Sequence, residues 1–152
     1  MHIETHAYSY LHVGNLIISK INEVKNIEFD EEILEAAKAA FRFIELEMTD
    51  EGGALFHRYH SGQSEILGML DDYAFMIWAA FELYQTTQET RFLERAIQWT
   101  RICVERFKDE SGGFYFSPVE SADLIIRKKE IYDGATPSGN SVMAQLLLKL
   151  SR

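Results

Sequence analysis

Two successive acids, Asp71 and Asp72, stand directly before the apolar run Tyr73 to Ala80, and a third, Asp133, precedes a second apolar run that starts after Ser138. If both runs are helices, Asp72 and Asp133 sit at the same end of each. Carboxylates paired in that way can work as general acid and base, or grip hydroxyl groups, as the paired acids of glycoside hydrolysis do. The same placements also suit a helix cap at Asp72 and a turn residue bonding local N–H groups at Asp133. The sequence keeps both readings open.

Other side chains with useful chemistry fall close by. Ser138, Asn140 and Ser141 bring hydroxyl and amide groups to a helix start just after Pro137. Free backbone N–H groups at such an end favour an anionic or hydroxyl-rich ligand, although capping alone accounts for Ser138. His57, Arg58, Tyr59 and His60 follow a glycine pair. From there His57 can act as a proton carrier near neutral pH, with Arg58 and His60 as accessory contacts, while an exposed polar loop explains the same residues without catalysis. Tyr73 and Tyr132 adjoin the aspartates and are the aromatics placed to stack on a ligand ring, whereas Trp78 and Tyr115 read as core.

Metal and cofactor chemistry find little support. His2, Glu4, His6 and His12 lack the HExxH order, in which glutamate directly follows the first histidine. His57 and His60 have no evident third ligand. The single cysteine, Cys103, excludes a CxxC pair and an internal disulfide, and its place on an apolar helix side suits a buried, inert thiol. We expect no metal, no cofactor and a reducing compartment.

The elements that must position these groups are helices. Periodic apolar residues predict a helix near residues 8–24. A second follows Asp30, with Glu31 and Glu32 in its first turn and Ile33, Ala37, Phe41, Ile44 and Met48 as its stripe. A third covers about Asp72–Thr86 and is apolar nearly all round, which marks a helix covered on several sides. The fourth, about Thr90–Lys108, is one-sided, with Leu93, Ala96, Ile97, Thr100, Val104 and Phe107 inward. The fifth, about Ser138–Leu150, is again apolar nearly all round.

Two loops, Asp50-Glu51-Gly52-Gly53 and Asp109-Glu110-Ser111-Gly112-Gly113, close the one-sided helices and lead into short extended segments. Leu34-Glu35-Ala36-Ala37 before the first matches Leu93-Glu94-Arg95-Ala96 before the second. The chain is thus an internal repeat of about 60 residues, in which a one-sided outer helix, a Gly-Gly loop and a buried inner helix follow one another. A single unit of that kind cannot bury its own apolar face, so units stack. The predicted fold is all-α, with antiparallel helical hairpins of an α/α toroid and short β segments at the Gly-Gly loops.

Composition narrows the rest. The chain has 152 residues, 47% hydrophobic and 26% charged, with 24 acidic against 15 basic side chains. That is enough for one domain over residues 1–152. The acidic balance disfavours a phosphate-backbone partner and an acidic membrane surface. No apolar stretch reaches the roughly 18–20 residues of a bilayer span, and the N-terminus lacks the basic and apolar regions of a secretory leader. The expected location is the cytoplasm, with no nucleic-acid or membrane partner.

The run Leu70-Asp71-Asp72-Tyr73-Ala74-Phe75, then Glu82-Leu83-Tyr84, then Gly112-Gly113-Phe114-Tyr115-Phe116, then Tyr132-Asp133-Gly134-Ala135-Thr136-Pro137-Ser138-Gly139-Asn140-Ser141-Val142 resembles the bacterial YyaL and spermatogenesis-associated protein 20 family. The match covers residues 30–152 and fades over residues 1–29. The resemblance implies an α/α toroid similar to N-acylglucosamine 2-epimerases and six-hairpin glycosidases. It implies a carbohydrate-directed function, epimerase-like or glycosidase-like, with Asp72, Asp133 and His57 as the polar groups of a cavity mouth. The family's thioredoxin-like domain is not matched, and without a CxxC segment no redox activity carries over.

At about 60 residues per unit the chain holds roughly two and a half units, where a six-hairpin ring needs about 350 residues. It reads as an arc of such a ring. A non-catalytic scaffold that self-associates through uncovered helix faces is the rival expectation.

Overall fold

The computed structural model describes residues 31–121 and 126–151. The helix expected near residues 8–24, the Asp30 cap and the histidines of the N-terminus lie outside the described residues. The elements run α1 (Glu31–Glu47), β1 (Phe56–His60), β2 (Gln63–Leu67), α2 (Leu70–Thr87), α3 (Thr90–Arg106) and α4 (Gly139–Leu150).

Helix α2 is the centre of the fold. Its residues Tyr73 to Ile77, with Ala79, Ala80 and Leu83, are essentially without solvent exposure, because α1, α3 and α4 all pack against it. A two-residue link joins α2 to α3. Gln88 ends α2 in the left-handed conformation at φ 60 and donates its N–H to Tyr84 O, which turns the chain sharply enough for an antiparallel hairpin.

The outer helices α1 and α3 meet through aromatic rings. Phe41 of α1 lies 5.3 Å from Phe92 and 5.6 Å from Trp99 of α3. Beyond the rings, Arg95 of α3 donates to Glu45 of α1 at 2.8 Å. The inward face of α3 is Phe92, Ala96, Trp99 and Cys103, continued by Phe107. The expected stripe was misphased, since Ile97 and Val104 are exposed. Trp99 decides the phase: its large ring fills the space between α1 and α3, and its Nε1 donates to Gly53 O at 3.0 Å. Cys103 is fully buried as expected, and burial pushes its thiol far up.

The two Gly-Gly loops fold alike. Asp50 N–H donates to Ala54 O, and Asp109 N–H to Gly113 O; Gly53 and Gly112 donate to Asp50 O and Asp109 O. Single antiparallel bridges, Thr49 to Leu55 and Lys108 to Phe114, follow in register. Gly53 at φ 86 and Gly112 at φ 105 occupy equivalent positions in a conformation that side chains resist. The equivalence therefore pairs the second glycine of the first loop with the first glycine of the second.

Among the described residues, only the first loop continues into a two-stranded hairpin. Strands β1 and β2 pair antiparallel, with Phe56 opposite Leu67 and His60 opposite Gln63. Ser61 at φ 51 and Gly62 at φ 82 make the two-residue turn, the left-handed pair that suits strand twist.

Helix α4 rests chiefly on α2. Val142, Met143 and Leu146 are buried, but Leu147 and Leu148 are exposed. The all-round apolar pattern thus overstates its burial among the described residues.

Candidate functional site

The N-terminal ends of the inner helices α2 and α4 are fastened together by an aspartate. Asp71, in the first turn of α2, accepts through Oδ1 from the N–H of Gly139, the first residue of α4, at 2.9 Å. A Cβ on residue 139 would collide with that oxygen and lie 3.0 Å from Leu70 Cγ. Glycine is therefore what lets the two helices approach here.

Asp72 faces the other way, toward the hairpin. Its Oδ2 accepts from Met69 N–H at 2.7 Å and meets His57 Nδ1 at 2.8 Å. The carboxylate thus satisfies an orphan donor of the helix start and holds the imidazole at the same time. Asp72 is 2% exposed, whereas the His57 side chain is 39% exposed. An ionised carboxylate only accepts, so His57 Nδ1 carries the proton and Nε2 is left as the basic position.

The electrostatics follow from this burial. The Asp72 hydrogen bond raises the pKa of His57 above its ordinary 6.5, against the lowering effects of burial and Arg58. Burial pushes Asp72 up, opposed by His57 and the Met69 N–H. Asp71 is also raised, by burial first and then by the charges of Asp72 and Glu130, against the Gly139 hydrogen bond. Asp71 is thus a half-buried carboxyl with two acids for neighbours, whereas the sequence expectation paired Asp72 with Asp133.

Asp133 is differently placed. It is exposed, its Oδ1 accepts from Ser138 N–H at 2.8 Å, and its Oδ2 accepts from Ser141 Oγ at 2.9 Å. Ser138 caps α4 by accepting from Ser141 N–H. These bonds, the Ser138 N–H first, hold the Asp133 carboxyl below its usual range. In this arrangement Asp133 orders the entrance to α4, and its partners are distinct from those of Asp72.

The remaining expected residues divide. Asn140 clamps the second loop: its Oδ1 accepts from Phe114 N–H at 2.8 Å, and its Nδ2 donates to Phe114 O and Glu130 O, each at 2.9 Å. Tyr73 does the corresponding work in the first loop, where its hydroxyl accepts from Leu55 N–H at 2.9 Å. Tyr73 is 1% exposed and packs on Phe107 at 5.3 Å, so its expected role as a stacking surface is corrected to a core role. Burial raises its hydroxyl to about 12. Tyr132 is 83% exposed on the approach to α4.

Strand alternation separates His57, Arg58, Tyr59 and His60, which are consecutive in the sequence. His57 and Tyr59 share one face of β1, and Tyr59 packs on Phe43 of α1 at 5.1 Å. Arg58 and His60 take the other face and are exposed, with Arg58 paired to Glu65 across the hairpin. His57 alone of this group reaches the inner-helix ends. Among the described residues, no group of three or more His, Cys, Asp or Glu side chains is placed to hold a metal ion.

No family model matches the chain. It is 45% identical over 85 residues to spermatogenesis-associated protein 20 of Rattus norvegicus, which takes in 55% of this chain and 11% of that protein. It is 39% identical over 104 residues to the Homo sapiens protein of the same name, covering 67% of this chain and 13% of that one. The chain therefore spans only a small part of these relatives. The alignments bear out the resemblance read from the sequence.

Solved structures place the fold. A GH76 α-mannanase of Bacteroides thetaiotaomicron superposes with a TM-score of 0.75 at 19% identity, over 97% of this chain and 40% of that one. Cellobiose 2-epimerase of Spirochaeta thermophila gives 0.70 at 18% identity, over 96% and 37%. A sugar epimerase from a ruminal bacterium gives 0.66 at 18%, over 74% and 29%. The fold is the six-hairpin glycosidase-like one, and this chain corresponds to part of it. No helix among the described residues is long and apolar enough to cross a membrane.

Proposed function

We propose that the chain carries the acid–base portion of a carbohydrate-directed site at the N-terminal ends of α2 and α4. The observation behind this reading is the buried Asp72 that holds the half-exposed His57 at 2.8 Å. His57 is the proton carrier, Asp72 orients it and stabilises its charged form, and Asp71 is the second carboxyl. The reaction class is epimerase-like or glycosidase-like, in keeping with the solved structures that share the fold; on fold alone this is analogy. The single buried thiol suits a reducing, cytoplasmic setting.

The test is to incubate the protein with a broad panel of monosaccharides and disaccharides in D2O and follow the sugars by NMR. The expected result is deuterium incorporation for an epimerase or released monosaccharide for a hydrolase, lost in His57→Ala. A panel without any turnover or binding overturns the proposal.

A second reading has its own observation. α1 exposes Phe43 and Leu46, and α4 exposes Leu147 and Leu148, which are apolar helix faces of the kind that pair. Self-association through them is tested by light scattering, where a strictly monomeric mass at high concentration excludes it.

A further inference from the structure

Helix α2 is buried along most of its length, but one line of it departs from that rule. Asp71 and Trp78 fall at i and i+7, which places them along one face of the helix, and buried Glu82 follows at i+11. Asp71 and Trp78 on this line are partly exposed, while their neighbours on either side are buried. The Trp78 ring is backed by fully buried Phe75, with centroids 6.3 Å apart and planes 28° from parallel. Its Nε1 donates to Glu82 Oε1 at 3.1 Å.

This is an aromatic plane held still by two independent contacts. The indole N–H is already committed to Glu82, so a ligand that reaches Trp78 meets its ring rather than its N–H. A hydroxyl-bearing ring with one apolar side is the complementary shape. Trp78 lies seven residues from Asp71 along α2, roughly 10 Å at 1.5 Å per residue. That is far enough for a ring stacked on Trp78 to be a different one from the ring at His57 and Asp71.

We propose that Trp78 is a stacking platform for a second sugar residue, so that the substrate is an oligosaccharide or glycoside rather than a free monosaccharide. This rests on the carbohydrate-directed reading of the acid–base site and specifies its substrate class. Trp78 binds the ring remote from the chemistry and sets its register, and His57 and Asp71 meet the ring at the helix ends. Binding at a remote ring contributes to positioning the reacting one.

The protein contains its own control. Its other tryptophan, Trp99, is fully buried and bonded to Gly53 O, so a ligand-dependent change in emission reports Trp78. Cellobiose and an α-linked mannobiose are titrated against glucose and mannose, with emission, acrylamide quenching and calorimetry as readouts. The disaccharides are expected to shift the emission and shield Trp78 from acrylamide, and Trp78→Phe is expected to weaken disaccharide binding by about tenfold or more, equivalent to about 1.4 kcal/mol. Unchanged Trp99 emission and helical circular dichroism establish that this variant is folded; shielding in the unmodified protein decides the question if it is not.

The outcomes separate the two readings. Disaccharide binding without a Trp78 signal, or of equal strength in Trp78→Phe, overturns the platform and leaves the acid–base reading standing. Monosaccharides bound as tightly as disaccharides overturn the second-ring assignment. A Trp78 response in a protein whose turnover is unaffected by His57→Ala supports the platform and overturns the acid–base reading. No response to any of the four sugars overturns the platform.

Discussion

Replacing Gly139 with alanine probes the junction on which the site is built. The Gly139 N–H donates to Asp71 Oδ1 at 2.9 Å. An alanine Cβ falls on that oxygen and lies 3.0 Å from Leu70 Cγ and 3.2 Å from Leu70 Cδ2. Asp71 can swing aside, but the buried N–H then loses its acceptor, at about 1–3 kcal/mol. Leu70 is fully buried and cannot yield, so crowding adds about 1–3 kcal/mol. The better helix propensity of alanine offsets at most about 1 kcal/mol. The net effect is a destabilisation of about 1–6 kcal/mol, a few degrees or more in Tm. In an Asp71→Ala background the oxygen and its hydrogen bond are already gone, and only the contact with Leu70 remains. The double variant should therefore be less destabilised than the two single effects predict, by about 1–3 kcal/mol. Urea unfolding followed by helical circular dichroism on all four proteins measures this coupling. Additivity within about 0.5 kcal/mol refutes the claim that Asp71 and Gly139 bind the two helices together.

Three further expectations follow from named contacts. With Asp72 ionised, the stability from its bond to His57 is complete below the ordinary imidazole value of 6.5 and is lost as pH rises through the raised value in the folded protein. Asp72→Asn should remove that slope and bring the His57 titration, followed by NMR of its ring proton, to 6.5 or below, because burial and Arg58 both act to lower it; an unmoved titration contradicts the pairing. Asn140→Ala cuts the bonds to Phe114 and Glu130 and should cost about 2–4 kcal/mol, with faster hydrogen exchange at the Phe114 amide as its local mark. Cys103 should react with a thiol reagent only as fast as the protein unfolds, since its sulfur is fully buried; prompt labelling of the folded protein contradicts this.

Much of the molecule was legible along the chain because its signals are local. Apolar spacing placed α1 to α4 within a few residues of where they lie, and the glycine pairs marked the tight turns that follow the outer helices. A helix repeats every 3.6 residues and a left-handed turn selects glycine whatever surrounds it. The repeat and the long motif from Tyr132 to Val142 were enough to indicate the toroid fold.

Tertiary structure decided which side of each element matters. Spacing alone fits the stripe through Ile97 and Val104 on α3 about as well as the one through Phe92 and Trp99; the Phe41 ring of α1 chooses the second. Neighbouring aspartates look equivalent in sequence, yet Asp72 turns to His57 and Asp71 to Gly139, because successive helical residues point about 100° apart toward different partners. Tyr73 and Trp78 are both aromatics of one apolar run, but α2 has neighbours over Tyr73 and leaves Trp78 partly open. Sequence determined what this chain is built from and where each element turns. Which acids, rings and imidazoles are brought next to which partners depended on contacts between residues far apart in the chain, and those exist only once the helices have packed.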